Sequence, residues 1–107
     1  MIQEDYCSFE VAKLLKEKGF DYQGFDYIDF EGEVIRQDRP THQMAMKWLR
    51  DIHNINIEIN FNRYGPNYRY KIIYKPEILD DIYSTGNYLY YEEAVEVALK
   101  YTLENLI

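Results

Sequence analysis

One cysteine, Cys7, and two histidines, His42 and His53, are the residues of this chain best suited to hold a metal ion or activate a nucleophile. The histidines sit at the two ends of a stretch with helical periodicity, so they share an azimuth but lie about 16 Å apart along the axis. One ion cannot bridge that span. Zinc needs three or four ligands at about 2.0 to 2.3 Å, and neither histidine has a second His or Cys at i+3 or i+4. The local spacing therefore predicts no metal site and no cofactor, with both histidines as ordinary polar positions at helix ends.

Nucleophilic catalysis needs Ser, Cys or Thr beside an oriented base. Cys7 and Ser8 stand at a helix start and Ser84 and Thr85 in a loop, none of them within a nucleophile elbow or a glycine-rich oxyanion motif. A helix N-terminus lowers a thiol pKa in principle, but a small apolar residue at a helix entrance is the simpler role for Cys7. The carboxylate pairs Asp80 with Asp81 and Glu92 with Glu93 are adjacent, so they diverge on either a helix or a strand. Glycines 19, 24, 32, 65 and 86 are scattered as punctuation and form no phosphate-cradling loop. No catalytic residue is assigned, and an enzyme is not expected.

Nucleic-acid binding is the remaining chemistry. The segment NRYGPNYRYKIIYK (62–75) interleaves aromatics with cations, as single-strand platforms do. Such platforms expose rings and cations on one sheet face, whereas Tyr68, Tyr70 and Tyr74 have the opposite parity to Arg69, Lys71 and Lys75. What remains is a cationic face of Asn56, Asn60, Arg63, Tyr64, Arg69, Lys71 and Lys75, which Lys47 and Arg50 can extend. Four phosphate contacts there would give a salt slope of only about -3 to -4, so binding would be weak.

The elements that position these residues follow from periodicity and punctuation. SFEVAKLLKEKG (8–19) forms a helix capped by Ser8, with Val11, Ala12, Leu14 and Leu15 in one stripe and Gly19 as a left-handed stop before Phe20. Residues 20–37 favour a strand at Tyr27, Ile28 and Phe30, a turn at Gly32 and a short second strand from Glu33 to Gln37. Pro40 and Thr41 open a second helix whose apolar stripe is Met44, Ala45, Trp48, Leu49 and Ile52. INIEINF (55–61) and YRYKIIYK (68–75) alternate with period 2 around a Gly65–Pro66 turn, which predicts an antiparallel hairpin. Pairing Phe61 with Tyr68 places Ile59 beside Tyr70, Ile57 beside Ile72 and Ile55 beside Tyr74 on the core face. Glu58 then faces Lys71, Asn60 faces Arg69 and Asn56 faces Ile73 outside. Residues 76–90 are irregular: Ile78, Leu79, Ile82 and Tyr83 suit one helical turn, while Gly86 and Asn87 suit a bend into a short edge strand. From Tyr91 to Leu106 a final helix aligns Tyr91, Val95, Ala98, Leu99, Thr102 and Leu106 on one face, and Glu96 can pair with Lys100.

A chain of 107 residues with 47% hydrophobic and 17% aromatic composition suffices for one domain, 1–107, with its own core. Twelve tyrosines predict a core that is aromatic and partly polar. One cysteine and no export-like start predict a reducing, cytoplasmic setting, and no apolar run is long enough to span a bilayer. The formal charge of -7 conceals a pattern: -6 in residues 1–35, +5 in 36–75 and -6 in 76–107. Internal neutralisation of the middle by the ends is the simpler account, and an exposed basic patch the alternative.

The segments FEVAKLLKEKGF (9–20), MKWLRDIHNINIEI (46–59) and YEEAVEVAL (91–99) together resemble small proteins that recur in phages and mobile elements of gut Bacteroidetes. That group has no assigned activity, so the resemblance implies an origin and a shared fold and carries over no functional residue. One departure is visible: Tyr90 stands where such proteins tend to place Thr or Ser, able to cap the last helix.

The sequence thus predicts an α+β fold, with helices packed on one face of a small antiparallel sheet in the order α-(β)-α-β-β-α. The expected function is that of a non-catalytic, phage-related accessory protein acting through protein contacts. Its partner is an unidentified protein or a second copy, met through an exposed strand edge or through Leu106 and Ile107. Weak nucleic-acid binding by the hairpin's outer face and acidic mimicry of DNA are the alternatives.

Overall fold

A computed structural model describes residues 5–22, 24–37, 39–62, 67–74, 82–83 and 87–107. Ser8 and Gly19 bracket the first helix, α1 (Phe9–Glu17), as their types require. Ser8 Oγ accepts from Val11 N at 3.1 Å. Gly19 takes φ +102°, and Phe20 N donates to Leu15 O while Gly19 N donates to Lys16 O. These two bonds make a Schellman stop, which satisfies the last carbonyls and turns Phe20 back against the core.

A hairpin follows, β1 (Phe25–Ile28) with β2 (Val34–Gln37), in the register Ile28 with Val34 and Tyr27 with Ile35. Its turn is closed by Asp29, whose Oδ1 accepts from Glu31 N and Glu33 N at 2.9 Å each. The hairpin forms a sheet of its own. The radius of gyration is 15.3 Å, against about 13 Å for a compact chain of this length.

Helix α2 (His42–His53) starts at Thr41, whose side chain accepts from Met44 N, and ends at Asn54 with φ 55°. Its buried stripe is His42, Ala45, Met46 and Leu49, while Met44 and Ile52 are exposed and Trp48 is half-buried. This corrects the expected stripe of Met44, Ala45, Trp48, Leu49 and Ile52. The observed series has the ideal i, i+3, i+4, i+7 spacing, but it begins on a histidine, which looks polar.

Strands β3 (Ile55–Asn62) and β4 (Asn67–Tyr74) pair in the predicted register, Phe61 with Tyr68 through Ile55 with Tyr74. The Gly65–Pro66 turn lies outside the described residues. Strand β5 (Ile82–Tyr83) adds to β4, and Tyr88 bridges Tyr68, so the three-stranded sheet runs β3-β4-β5. Ile82 and Tyr83, which suited a helical turn, are strand instead, and past the expected bend Tyr88 forms a bridge; residues 76–81 and 84–86 lie outside the described residues. Helix α3 (Tyr91–Asn105) lies on β3 and β4 and is flanked by α1 and α2. Ala94 and Ala98 let it approach closely, and Thr102 satisfies its hydroxyl on Ala98 O at 2.8 Å. The helices cover one sheet face, as the α+β expectation required.

The core is mainly aliphatic: Val11, Leu15, Leu49, Ile55, Ile72, Val95, Leu99 and Leu103, with Cys7. Among the described side chains only Tyr70 of the tyrosines is buried, which corrects the expected aromatic core. Tyr68 and Tyr88 are half-buried at the rim, where a ring can be covered while its hydroxyl reaches the surface. Leu106 and Ile107 pack partly against the core, and Lys18 Nζ donates to Ile107 O at 2.9 Å. One further expectation is corrected: Lys100 pairs with Glu10 of α1 at 2.7 Å, not with Glu96. As Tyr90 foretold, α3 has no side-chain cap.

Candidate functional site

Three surfaces carry chemistry. The first is the outer face of β3–β4, where Asn56, Asn60 and Arg69 are exposed and Lys71 is half-buried. Arg63, Tyr64 and Lys75 lie outside the described residues. Arg69 is committed to its own chain, its Nε donating to Asn87 Oδ1 at 2.8 Å, and Lys71 faces Glu58 across the strands. Tyr70 turns inward and stacks on Tyr88 with ring centroids 6.2 Å apart, and Tyr68 meets Tyr91 edge-on. Neither ring stands beside the cations of the outer face. Lys47, a proposed extension, is engaged by Asp51 at 2.7 Å.

The second surface is the β1–β2 arm. Ile28 is 71% exposed, Val34 68%, and Phe30 at the turn is fully exposed. Asp26, Asp29, Glu31 and Glu33 are set among them, and Arg36 answers one of these, Asp26, at 3.5 Å. At the arm's base lies a cleft of about 630 Å³ lined by Phe9, Lys13, Lys16, Phe20, Arg36 and Arg39, with Asp21 the one acid among its described lining residues. The Arg39 guanidinium lies over the Phe9 ring at 4.5 Å and donates to Cys7 O at 3.3 Å. One chain thus presents an acidic projection with exposed apolar side chains and a largely polar, basic recess that includes Phe9 and Phe20.

The third is a buried cluster that local spacing did not reveal. Residues 5–7 pair with 40–42: Cys7 N donates to Pro40 O and His42 N to Asp5 O, each at 2.8 Å. That pairing sets Cys7 beside the first residue of α2, and α3 supplies Glu96 from the other side. Glu96 Oε1 receives His42 Nε2 at 2.8 Å and Ser8 N at 2.8 Å. A carboxylate there meets the N-terminal ends of α1 and α2, where backbone donors and the helix dipoles favour negative charge. Burial would raise the Glu96 pKa, but the His42 and Ser8 hydrogen bonds prevail and hold it below its ordinary value.

Cys7 has the opposite fate. Its thiol is fully buried and directed at Thr41 O, 3.8 Å away. Burial, reinforced by the charge on Glu96, pushes its pKa up to about 12. A thiol so protonated is a poor nucleophile, and the acidification expected of a helix start does not occur. One donor atom each from Cys7, His42 and Glu96 lies within 4.8 Å of the others. His42 Nδ1 is buried with no partner. These three could hold a metal ion, a grouping that local spacing, which indicated no metal site, did not reveal because the residues are far apart in sequence.

No family model matches the chain, and no curated protein or solved structure does so either. Among the described residues no helix is long and apolar enough to cross a membrane.

Proposed function

We propose that the chain is a non-catalytic interaction module that docks through its β1–β2 arm, and that the occupant is a second copy. The observation that carries this is the exposed Ile28, Phe30 and Val34 on an acidic arm beside a cleft that offers the rings of Phe9 and Phe20 among the cations Lys13, Lys16, Arg36 and Arg39. Arg36 belongs to both arm and cleft, so the two are adjacent, and a two-fold exchange puts each arm in the other's cleft and closes the assembly. Burying three large side chains from each arm is worth roughly 10 kcal/mol, against an association cost of roughly 4 to 15 kcal/mol. The ion pairs then decide whether the dimer forms, and association is salt-sensitive. The accessory, phage-related role belongs to the same proposal and rests on the resemblance alone.

Light scattering and sedimentation velocity over a concentration series test this. Wild type should associate at low salt and dissociate at high salt, and Phe30→Asp, at a fully exposed position, should remain monomeric. A wild type that stays monomeric at low salt, or association that survives Phe30→Asp, overturns the proposal.

A further inference from the structure

Independently of the arm, we propose that Cys7, His42 and Glu96 form a binding site for a zinc-class divalent cation. Their donor atoms come from three separate segments and lie within 4.8 Å of one another. A tetrahedral ion with bonds of about 2.0 to 2.3 Å needs donors about 3.3 to 3.8 Å apart, so small side-chain movements suffice. His42 is 96% buried and presents Nε2 to Glu96 Oε1 at 2.8 Å, so an imidazole nitrogen and a carboxylate oxygen already converge in the interior beside the Cys7 thiol.

Donor chemistry selects the ion. Thiolate with imidazole and carboxylate suits zinc and its late first-row neighbours, whereas calcium and magnesium take oxygen ligands. One thiolate and one carboxylate cancel the charge of a divalent ion, so the filled site is neutral and burial penalises it little. Binding displaces the Cys7 proton to solvent. Cys7 and His42 are closed off, but the Glu96 side chain is 26% exposed, which leaves water a path to a fourth position. The ion would fasten the N-terminal segment, the start of α2 and α3 together.

The test is titration of the full chain, stripped with a chelator, with cobalt(II) and then zinc. The expected result is one equivalent per chain, a thiolate-to-cobalt charge-transfer band, visible bands of four-coordinate intensity, and loss of both on adding zinc. Cys7→Ser and Glu96→Gln should each weaken binding on the order of a hundredfold. The wild-type spectrum decides alone if a variant fails to fold. Cobalt bound without a thiolate band, substoichiometric binding, or an unchanged affinity in folded Cys7→Ser overturns the proposal.

Discussion

His42 and Glu96, 54 positions apart, meet at 2.8 Å through Nε2 and Oε1 and join the first residue of α2 to the interior of α3. The contact has a consequence for acid stability. Glu96 is ionised at lower pH in the folded chain than its ordinary value of 4.5. Its contribution is therefore complete above the unfolded value and is lost as pH falls through the folded one. For the metal-free chain, Glu96→Gln should cost about 1 to 2 kcal/mol at neutral pH and should flatten the acid limb of stability. Urea unfolding from pH 7 to 3 measures both effects, and an equally steep acid limb in the variant contradicts this role.

Cys7 governs the alkaline side. Its folded pKa of about 12 lies above the ordinary 9.0, so the protonated thiol stabilises the fold below the unfolded value. That contribution declines as pH rises from 9.0 towards 12. Wild type minus Cys7→Ala should show this decline in chemical denaturation. In the metal-free native chain, alkylation of Cys7 should be slow at pH 8 and fast in denaturant. Rapid labelling of the folded chain would show that the thiol is not shut away.

Gly19→Ala tests the end of α1. No atom lies within 4 Å of an added Cβ, so the cost is backbone strain at φ +102° alone, about 1 to 2 kcal/mol. Thermal unfolding reads it. A neutral substitution would mean that the stop does not require a left-handed residue.

Single-stranded DNA should leave tyrosine fluorescence unchanged at low salt. Tyr70 is buried and Tyr68 packs between Phe61 and Tyr91, so neither ring is placed to stack on a base beside the outer cations. Quenching that disappears in Arg69→Glu would reverse this conclusion.

The sheet was legible because strict alternation permits one register: a slip by one residue would turn Ile55, Ile57 and Ile59 to the outside. The two N-caps and the Gly19 stop were legible because each depends on neighbours in sequence. Long-range choices were not. Glu96 has Lys100 one helical turn away, yet it turns to Ser8 N and His42, while Lys100 reaches Glu10 on another helix. Alternation also indicated two short strands around Gly32, but nothing local showed that they would form a separate arm.

The most direct measurement of the docking claim mixes two variants, Phe30→Asp with an intact cleft and Lys13→Glu with Lys16→Glu with an intact arm. Each alone should be monomeric at low salt. Together they should form a dimer containing one copy of each, held by the single remaining arm-to-cleft contact and weaker than the wild-type dimer. Undiminished association by either variant alone, or a mixture that associates no more than the separate variants even at concentrations far above those at which wild type dimerises, contradicts docking through this arm.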